Sequence, residues 1–149
     1  MIRIGIDTSV LIGLLDPKDV WHGPAMALKQ ALITHNADIA MFDCVLAEAI
    51  STIARRIHEQ RRASDLDGLV RCIESDYPID DILWILPDVP VLYAEIVGLV
   101  RASGGALNFN DALIALSCRH REIPLIASFD RDFDSLKWLQ RVAQPDELV

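Results

Sequence analysis

Five short apolar runs divide the chain, and each is bounded by polar or turn-forming residues. Apolar runs of roughly four to eight residues with turn signals on both sides are typical of β-strands buried in a sheet. The sequence therefore predicts strands at residues 1–6, 38–45, 82–86, 124–127 and 138–142.

Between these runs, apolar residues recur every three or four positions, which predicts helices that each pack one face against a core. Asp16-Pro17 ends the first of these segments and Gly104-Gly105 ends the fifth, because proline and paired glycines stop helices. The predicted helices cover residues 10–15, 22–36, 46–62, 63–76, 89–103 and 108–120.

Strands that alternate with helices predict parallel βαβ units and a sheet covered by helices on both faces. The chain has 149 residues, of which 52% are hydrophobic, and this is enough for one buried core and too little for two ordinary domains. No linker, repeat or low-complexity stretch divides it. We expect a single α/β domain over residues 1–149.

The net charge and the cysteines limit the classes of partner and compartment. A formal charge of -8 repels a polyanion, so a nucleic-acid partner would require a local basic patch or bound cations. An odd number of cysteines without CxxC spacing favours reduced thiols and a cytoplasmic location. No stretch approaches the roughly 18 to 20 apolar residues of a membrane span, so we expect no membrane partner.

Four carboxylates stand out because each follows a predicted strand or lies near the start of a predicted helix. In an open parallel sheet the ligand crevice forms at the carboxyl ends of the strands. The sequence therefore predicts that these four side chains lie in one layer of the domain. They are Asp7, Glu48, Asp111 and Asp130.

Each carboxylate also has a structural explanation when it is taken alone. Asp7 could cap the turn after the first strand, and Asn108 with Asp111 resembles a helix-capping pair. Asp130 and the nearby Asp132 could be ordinary turn residues. Glu48 is expected one step into its helix and directed into a partly buried site, which favours a functional role because an unpartnered buried carboxylate is costly.

The combination of the four carboxylates points to a metal ion. Four carboxylates in one crevice could not all stay charged without a compensating cation, and Mg²⁺ or Mn²⁺ prefers oxygen ligands. Such an ion activates water for in-line attack on a phosphodiester. The histidines show no zinc-like spacing and are explained as surface or helix-end residues: His22, His35, His58 and His120.

Around these carboxylates the sequence resembles the PIN domain superfamily, and within it the toxin ribonucleases of VapBC-type toxin–antitoxin pairs. The motifs that carry the resemblance run in order over nearly the whole chain. They are Ile6-Asp7-Thr8-Ser9-Val10-Leu11, Leu46-Ala47-Glu48, Asn110-Asp111-Ala112-Leu113-Ile114-Ala115 and Ser128-Phe129-Asp130-Arg131-Asp132-Phe133. Two features depart from the usual pattern: the stretch from Glu48 to Asp111 is long, and Asp130 stands where many members carry Asn.

The resemblance implies a three-layer α/β/α domain with a five-stranded parallel sheet, and a Mg²⁺- or Mn²⁺-dependent endonuclease that cleaves single-stranded RNA. Catalysis and metal binding carry over to the four carboxylates, with Asp132 as an accessory metal ligand. Supporting roles carry over to the small polar residues beside them: Thr8, Ser9, Asn108 and Ser128.

The resemblance also implies partners. Antitoxins of this kind lay a tail along the toxin and place an arginine among the carboxylates, so we expect a small antitoxin protein. We further expect a homodimer built on apolar helix faces such as that of residues 89–100. RNA could contact the dense basic cluster that extends from the Glu48 helix, although a solvated surface balanced by Glu59 and Asp65 is an equal alternative. This cluster consists of Arg55, Arg56, Arg61 and Arg62.

Two other functions compete with a nuclease. A Mg²⁺-dependent phosphotransfer domain would also place an Asp after its first strand, but it needs a lysine after a later strand, and the three lysines do not stand there. A non-catalytic module whose acidic crevice receives a basic partner segment is the second alternative. The tryptophans Trp21, Trp84 and Trp138 could stack on bases, although core or interface packing is the favoured explanation for them.

Overall fold

The computed structural model describes residues 1–148 and contains one five-stranded sheet in which every pairing is parallel. The strand order is β3-β2-β1-β4-β5, so the first strand lies in the middle. This is the predicted α/β sheet. The strands are β1 (Arg3–Ile6), β2 (Asp38–Phe42), β3 (Ile82–Leu83), β4 (Leu125–Ala127) and β5 (Gln140–Val142).

Helices fill the connections between the strands. They are α1 (Thr8–Leu15), α2 (His22–Thr34), α3 (Asp43–Glu59), α4 (Ala63–Asp76), α5 (Val89–Ala102) and α6 (Phe109–His120). Short 3₁₀ helices occur at Ile79–Asp81, Leu86–Asp88, Arg131–Ser135 and Pro145–Glu147. No helix within residues 1–148 is both long enough and apolar enough to cross a membrane.

The strand order places the helices on both faces of the sheet. Parallel crossovers are right-handed, so the steps from β1 to β2 and from β2 to β3 put α1 to α4 on one face. The chain then returns past β1 to β4, which puts α5 and α6 on the other face. The helix contacts agree, because α1 packs on α2 and α3, α3 packs on α4, and α5 packs on α6. The predicted three-layer α/β/α arrangement is confirmed.

The hydrogen-bond ladders on both sides of β4 continue for one residue past the strands. The Asp7 amide donates to the Ala127 carbonyl of β4 at 2.9 Å, and the Ser128 amide donates to the Val142 carbonyl of β5 at 3.1 Å. Asp7 and Ser128 are therefore each held in the register of the sheet by a backbone hydrogen bond to the next strand. This register fixes the backbone positions from which the side chains of Asp7 and Ser128 extend.

The predicted start of the third helix was wrong by three residues. The sequence predicts one strand over residues 38–45, but β2 ends at Phe42 and α3 begins at Asp43. Asp43 is buried in the first turn of α3, where its Oδ1 accepts from the amides of Cys44 at 2.9 Å and Ile85 at 3.1 Å. Its Oδ2 accepts from the Leu86 amide at 3.0 Å. The bond to Cys44 satisfies an amide in the first turn of α3, which favours the earlier start of the helix. The bonds to Ile85 and Leu86 join this turn to the segment after β3.

The same bonds explain why β3 is shorter than the predicted strand 82–86. The amides of Ile85 and Leu86 turn toward Asp43, so they are not free to extend the sheet beyond Leu83. The last strand also begins later than predicted, at Gln140 rather than at residue 138. Trp138 instead donates its ring N–H to the Ala115 carbonyl at 3.1 Å, which anchors it on α6.

Close approach of α1 and α2 depends on Gly13. A methyl group on Gly13 would lie 2.9 Å from the Ala25 Cβ and 3.0 Å from the Trp21 carbonyl oxygen. The Gly13 carbonyl also lies 2.7 Å from Nδ1 of His22. The start of α2 is therefore fitted directly against α1, and this fit determines where Trp21 lies.

Two glycine-to-alanine substitutions test this packing. Gly98 is also within a helix, but a methyl group there meets nothing within 4 Å. Gly98→Ala should raise the free energy of unfolding by about 0.5–1 kcal/mol because alanine favours helix. Gly13→Ala should lower it by about 1 kcal/mol because overpacking exceeds that gain. Denaturant unfolding measures both values, and equal stabilisation by the two substitutions would contradict the close fit at Gly13.

Candidate active site

Asp7 lies directly after β1 and its carboxylate is almost completely buried, with 4% of the residue exposed. Its Oδ2 accepts hydrogen bonds from the hydroxyls of Ser128 at 2.6 Å and Ser9 at 3.0 Å. The side chain makes no capping bond to α1, although Asp7 occupies the N-cap position. The capping explanation for Asp7 is therefore wrong, and its carboxylate is held by hydroxyl groups instead.

The two serines connect Asp7 to the chain segment after β4. The Ser9 hydroxyl accepts from the Phe129 amide at 3.0 Å, and the Ser128 hydroxyl accepts from the Asp130 amide at 3.0 Å. The two hydroxyl oxygens lie 3.5 Å apart. Each serine therefore orients the Asp7 carboxylate and a backbone amide near Asp130 at the same time.

Glu48 reaches the same edge from α3. Because α3 begins at Asp43, Glu48 is in its second turn rather than one step into the helix, and it is exposed. The expectation of a partly buried Glu48 was wrong, so the cost of burial gives no argument for its function. Its Oε2 accepts from the Thr8 hydroxyl at 3.2 Å, which ties Glu48 to the residue after Asp7.

Asp111 is in the first turn of α6 and forms a capping box with Asn108. The Asp111 amide donates to the Asn108 side chain at 2.8 Å, and the Asn108 amide donates to Asp111 Oδ2 at 3.2 Å. The capping interpretation of this pair is confirmed. A cap also fixes the position of the carboxylate, so this role is compatible with a functional one.

Asp130 and Asp132 form a turn, as their spacing suggests. Asp130 is the N-cap of the 3₁₀ helix Arg131–Ser135, and its Oδ1 accepts from the Asp132 amide at 2.9 Å. Asp132 is exposed, and its pKa is raised mainly by hydrogen bonding to Asp130 and by the charge of that neighbour. Asp130 therefore lies beside the serine network, whereas Asp132 is on the outside of the turn.

The pKa shifts show that the four main carboxylates lie within electrostatic range of each other. Burial raises the pKa of Asp7, and the charge of Asp130 adds to this, while hydrogen bonds from Ser128 and Ser9 oppose it. Burial also raises the pKa of Asp111 to about 6, with further contributions from Asp7, Asp130 and Glu48. The predicted convergence of these side chains at one edge of the sheet is present in the fold.

The donor set fits a hard divalent cation, because it consists of carboxylate and hydroxyl oxygens. As the side chains stand in residues 1–148, no group of three or more His, Cys, Asp or Glu residues could hold a metal ion. Mg²⁺ commonly keeps several waters and binds through one or two carboxylates, so it does not need such a closed group. Asp7 and Asp111 are the best direct ligands, because burial and mutual repulsion make their charges the ones most in need of a cation.

Two members of the predicted basic cluster are engaged in ion pairs. Arg56 Nη1 lies 2.7 Å from Asp19 Oδ1 and 3.5 Å from Asp16 Oδ2. Arg62 Nη2 lies 3.1 Å from Asp16 Oδ1, and its Nε lies 2.8 Å from Asp65 Oδ2. These bonds join α3 and α4 to the turn after α1, where Asp16 is buried.

The other two arginines of the cluster, Arg55 and Arg61, are exposed. Arg55 is seven residues after Glu48 on α3, which places both side chains on the same side of the helix. Contact of this cluster with RNA remains a prediction. Arg55 and Arg61 are its best candidates for such a contact, because they are exposed.

Several residues that support the site were not identified from the sequence. Arg141 on β5 donates from Nη1 to the Ser128 carbonyl at 3.2 Å and pairs through two nitrogens with Asp134. Asp43 and Asp16 are buried carboxylates with backbone or arginine partners. Asp43 directly follows a strand, so the signal that identified Asp7 was available there too. Arg141 carries no local signal, because its partners are distant in sequence.

Comparison with known families gives a decisive match. The PIN domain family matches residues 4–139, which is most of the chain. The chain belongs to the PIN domain family. This membership supports nuclease activity in general terms. No curated protein shows a significant match to the chain.

A solved structure has the same PIN fold over nearly the full length of both chains. It is the crystal structure of Mycobacterium tuberculosis VapC20, described as a Sarcin-Ricin loop cleaving toxin. The TM-score is 0.68 and the identity is 21%, with 91% of this chain and 95% of that chain covered. At this identity the likeness speaks for the fold.

The raised pKa of Asp111 predicts how stability changes when its charge is removed. Its pKa is about 6 in the folded protein and about 3.8 ordinarily, so ionisation of this carboxyl destabilises the metal-free fold above pH 4 and most strongly above pH 6. Asp111→Asn keeps an oxygen that can accept from the Asn108 amide. After allowance for solvent screening, it should stabilise the fold at pH 8 by about 1 kcal/mol.

Thermal unfolding in EDTA at pH 8 and at pH 4 measures this effect. The variant should melt above the wild-type protein at pH 8, and the difference should nearly vanish at pH 4. The same difference at both pH values, or a lower melting temperature at pH 8, would contradict electrostatic repulsion at Asp111.

Proposed function

We propose that this PIN domain is a Mg²⁺- or Mn²⁺-dependent endonuclease that cleaves single-stranded RNA, and that it acts as the toxin of a type II toxin–antitoxin pair. The observation that carries the proposal is the grouping of Asp7, Glu48, Asp111 and Asp130 at one edge of the sheet, where hydrogen bonds from Thr8 and Ser128 hold Glu48 and Asp7. Burial raises the pKa of Asp111, and the charges of the other three carboxylates add to this, which agrees with the grouping. Family membership supports nuclease activity, and the chain shares its fold with a protein described as a Sarcin-Ricin loop cleaving toxin, which supports the proposed substrate class and role.

In this proposal the protein side chains hold and orient the reacting groups. Ser128 and Ser9 fix the Asp7 carboxylate, so its position is set before RNA binds. Thr8 orients Glu48, and the capping box orients Asp111. Asp130 takes its position from the turn that follows Ser128. Asp132, outside the turn, would act only as an accessory ligand.

The cation would be held by Asp7 and Asp111, with Glu48 and Asp130 completing the site directly or through water. When bound, the ion supplies a more acidic water and stabilises charge on the phosphate and the leaving oxygen. Arg56 and Arg62 pair with Asp19 and Asp16. Among the described residues, Arg131 and Arg141 lie beside Asp130, and no ion pair joins either of them to the four carboxylates. The acidic crevice therefore needs a cation before a phosphodiester can approach.

The resemblance to VapBC-type toxins supports an antitoxin partner, and the charge pattern of the carboxylates is compatible with one. An arginine inserted among the carboxylates would satisfy the charge that the cation otherwise neutralises, and would block RNA cleavage by excluding the ion. The rival function as a purely non-catalytic module makes the same prediction about a basic partner segment. It differs in predicting no cleavage of RNA at all.

The helix α5 supports the proposed homodimer. Tyr93 is 58% exposed, and Val97, one turn later on the same side of the helix, is 39% exposed. The ring of Phe109, which is 38% exposed, lies 6.4 Å from that of Tyr93. Another side of the helix buries Leu92 and Ile96 in the core. Neighbouring exposed apolar side chains suit a protein interface, so this side of α5 is the best surface for a second copy of the chain.

RNA cleavage by the purified protein tests the proposed function. The wild-type protein should cleave unpaired RNA in the presence of Mg²⁺ or Mn²⁺, and EDTA should abolish this cleavage. Asp7→Asn should reduce cleavage to background, because it removes a buried charge while keeping an acceptor for Ser128 and Ser9. Gel electrophoresis of end-labelled RNA measures the products.

The matched control is Asp80→Asn, which removes one exposed carboxylate away from the site and should leave cleavage unchanged. Cleavage that survives Asp7→Asn would reject the proposed site. Absence of cleavage by the wild-type protein with either metal, across unpaired RNAs of varied sequence, would favour the non-catalytic module.

A further inference from the structure

A groove of about 560 Å³ lies next to the carboxylates and is not part of the proposed metal site. It runs between the start of α2, the turn after β4 and the end of the described chain. Its walls include two aromatic rings, two arginines and one carboxylate: Trp21, Phe129, Arg131, Arg141 and Glu147.

The aromatic wall is a stacked pair. The rings of Trp21 and Phe129 are nearly parallel, with an angle of 12° between their planes and 4.6 Å between their centroids. Trp21 remains 45% exposed, although a tryptophan packed only for stability would normally lose most of its surface. An exposed stacked ring offers a flat apolar face to a further planar group.

The groove also contains two arginine side chains, in a chain whose formal charge is -8. In the part of the chain that the structure describes, no ion pair engages the exposed Arg131. Arg141 is paired with Asp134, and Glu147 accepts from the amides of Ala143 and Gln144. Arg131 is therefore the groove's available partner for an anion.

The groove is continuous with the proposed site through three consecutive residues. Phe129 lies between Ser128, which binds Asp7, and Asp130, and its amide is held by Ser9. Arg131 follows Asp130 directly. A chain that places one phosphate at the carboxylates would thus meet an aromatic face and a guanidinium at adjoining positions.

Trp21 is held in place by contacts that lead through Asp19 to Arg56 on α3. Its amide donates to Asp19 Oδ2 at 3.0 Å, and Asp19 Oδ1 binds Arg56 at 2.7 Å. The arginine that looked like an RNA contact in the sequence is therefore a positioning residue for the turn that ends in Trp21. The stacked pair is fixed by this turn and by the close fit at Gly13.

We propose that the Trp21–Phe129 groove binds an unpaired nucleotide of the RNA substrate, with the base extending the aromatic stack and a phosphate contacting Arg131. This inference rests on the proposed function, because it takes RNA as the substrate. A single-stranded nucleic acid fits both features, since bases stack on aromatic rings regardless of sequence and phosphates pair with arginine. The groove extends the site by one nucleotide beyond the carboxylates.

Binding of labelled, random-sequence unpaired RNA tests the groove, with Asp111→Asn as the background that does not cleave. Trp21→Leu keeps apolar bulk but removes the aromatic face, and it should weaken binding roughly 5- to 150-fold. Its control is Trp84→Leu, which changes an exposed tryptophan outside the groove and should leave affinity unchanged. Fluorescence anisotropy measures the affinities.

The charge contact is tested by the salt dependence of the same binding. The logarithm of the affinity falls as the logarithm of the salt concentration rises. Arg131→Gln should make this slope shallower by about 0.7, the value for one phosphate on a single strand. Arg71→Gln removes the same charge from α4, away from the groove, and should not change the slope. Arg131 is exposed, so this variant tests the proposal without loss of packing.

The groove proposal is overturned if either variant matches its control. If a groove variant gives the same result as its control and the wild-type protein still cleaves RNA, the proposed function stands and only the groove assignment fails. If the Asp111→Asn protein binds no RNA and the wild-type protein cleaves none, both fail together, and a protein segment becomes the occupant to test.

Discussion

The carboxylate of Asp7 is the constraint on which the rest of the site depends. It is buried at the end of the central strand, and two hydroxyls and the β1–β4 ladder fix its position. A buried carboxylate is tolerated only when hydrogen bonds or a cation compensate its charge. The serines provide the first kind of compensation, and the neighbouring carboxylates create a need for the second. The carboxylates of the site thus repel one another, and a bound divalent ion would compensate their charge.

Much of this could be predicted from the sequence, because the decisive signals are local. The position of Asp7 after an apolar run, the Asn108 and Asp111 capping pattern and the alternation of strands with helices all depend on a few adjacent residues. The parallel sheet then brings strand ends together without further information. The convergence of the four carboxylates followed from that rule alone.

The errors have a common physical origin in contacts between distant parts of the chain. The length of β3 was predicted wrongly because the amides of Ile85 and Leu86 bind Asp43, more than forty residues away in sequence. The burial of Glu48 was predicted wrongly because α3 begins at Asp43, which moves Glu48 to the second turn. The predicted pairing of the arginine cluster with Asp65 is present at Arg62. The pairs of Arg56 and Arg62 with Asp19 and Asp16 were missed because those carboxylates are far away in sequence. Local sequence patterns predict each helix or strand, but they do not predict which distant residues it contacts.

These distant contacts connect the fold to its proposed activity. The ion pairs of Arg56 and Arg62 hold the turn that carries Trp21, and this ring packs on Phe129 beside the serine network. Arg141 holds the Ser128 carbonyl from the opposite side. Arg56, Arg62 and Arg141 therefore act as structural supports, and exposed arginines outside ion pairs, such as Arg55 and Arg131, are the candidates for contact with a polyanion.

The central claim is that these carboxylates together hold a divalent ion, and direct metal binding tests it most closely. Electron paramagnetic resonance can follow Mn²⁺ as it is titrated into the wild-type protein, Asp7→Asn and Asp80→Asn. Our account predicts saturable binding that is lost in Asp7→Asn and retained in Asp80→Asn. Equal Mn²⁺ binding by all three proteins, or none by the wild-type protein, would contradict it.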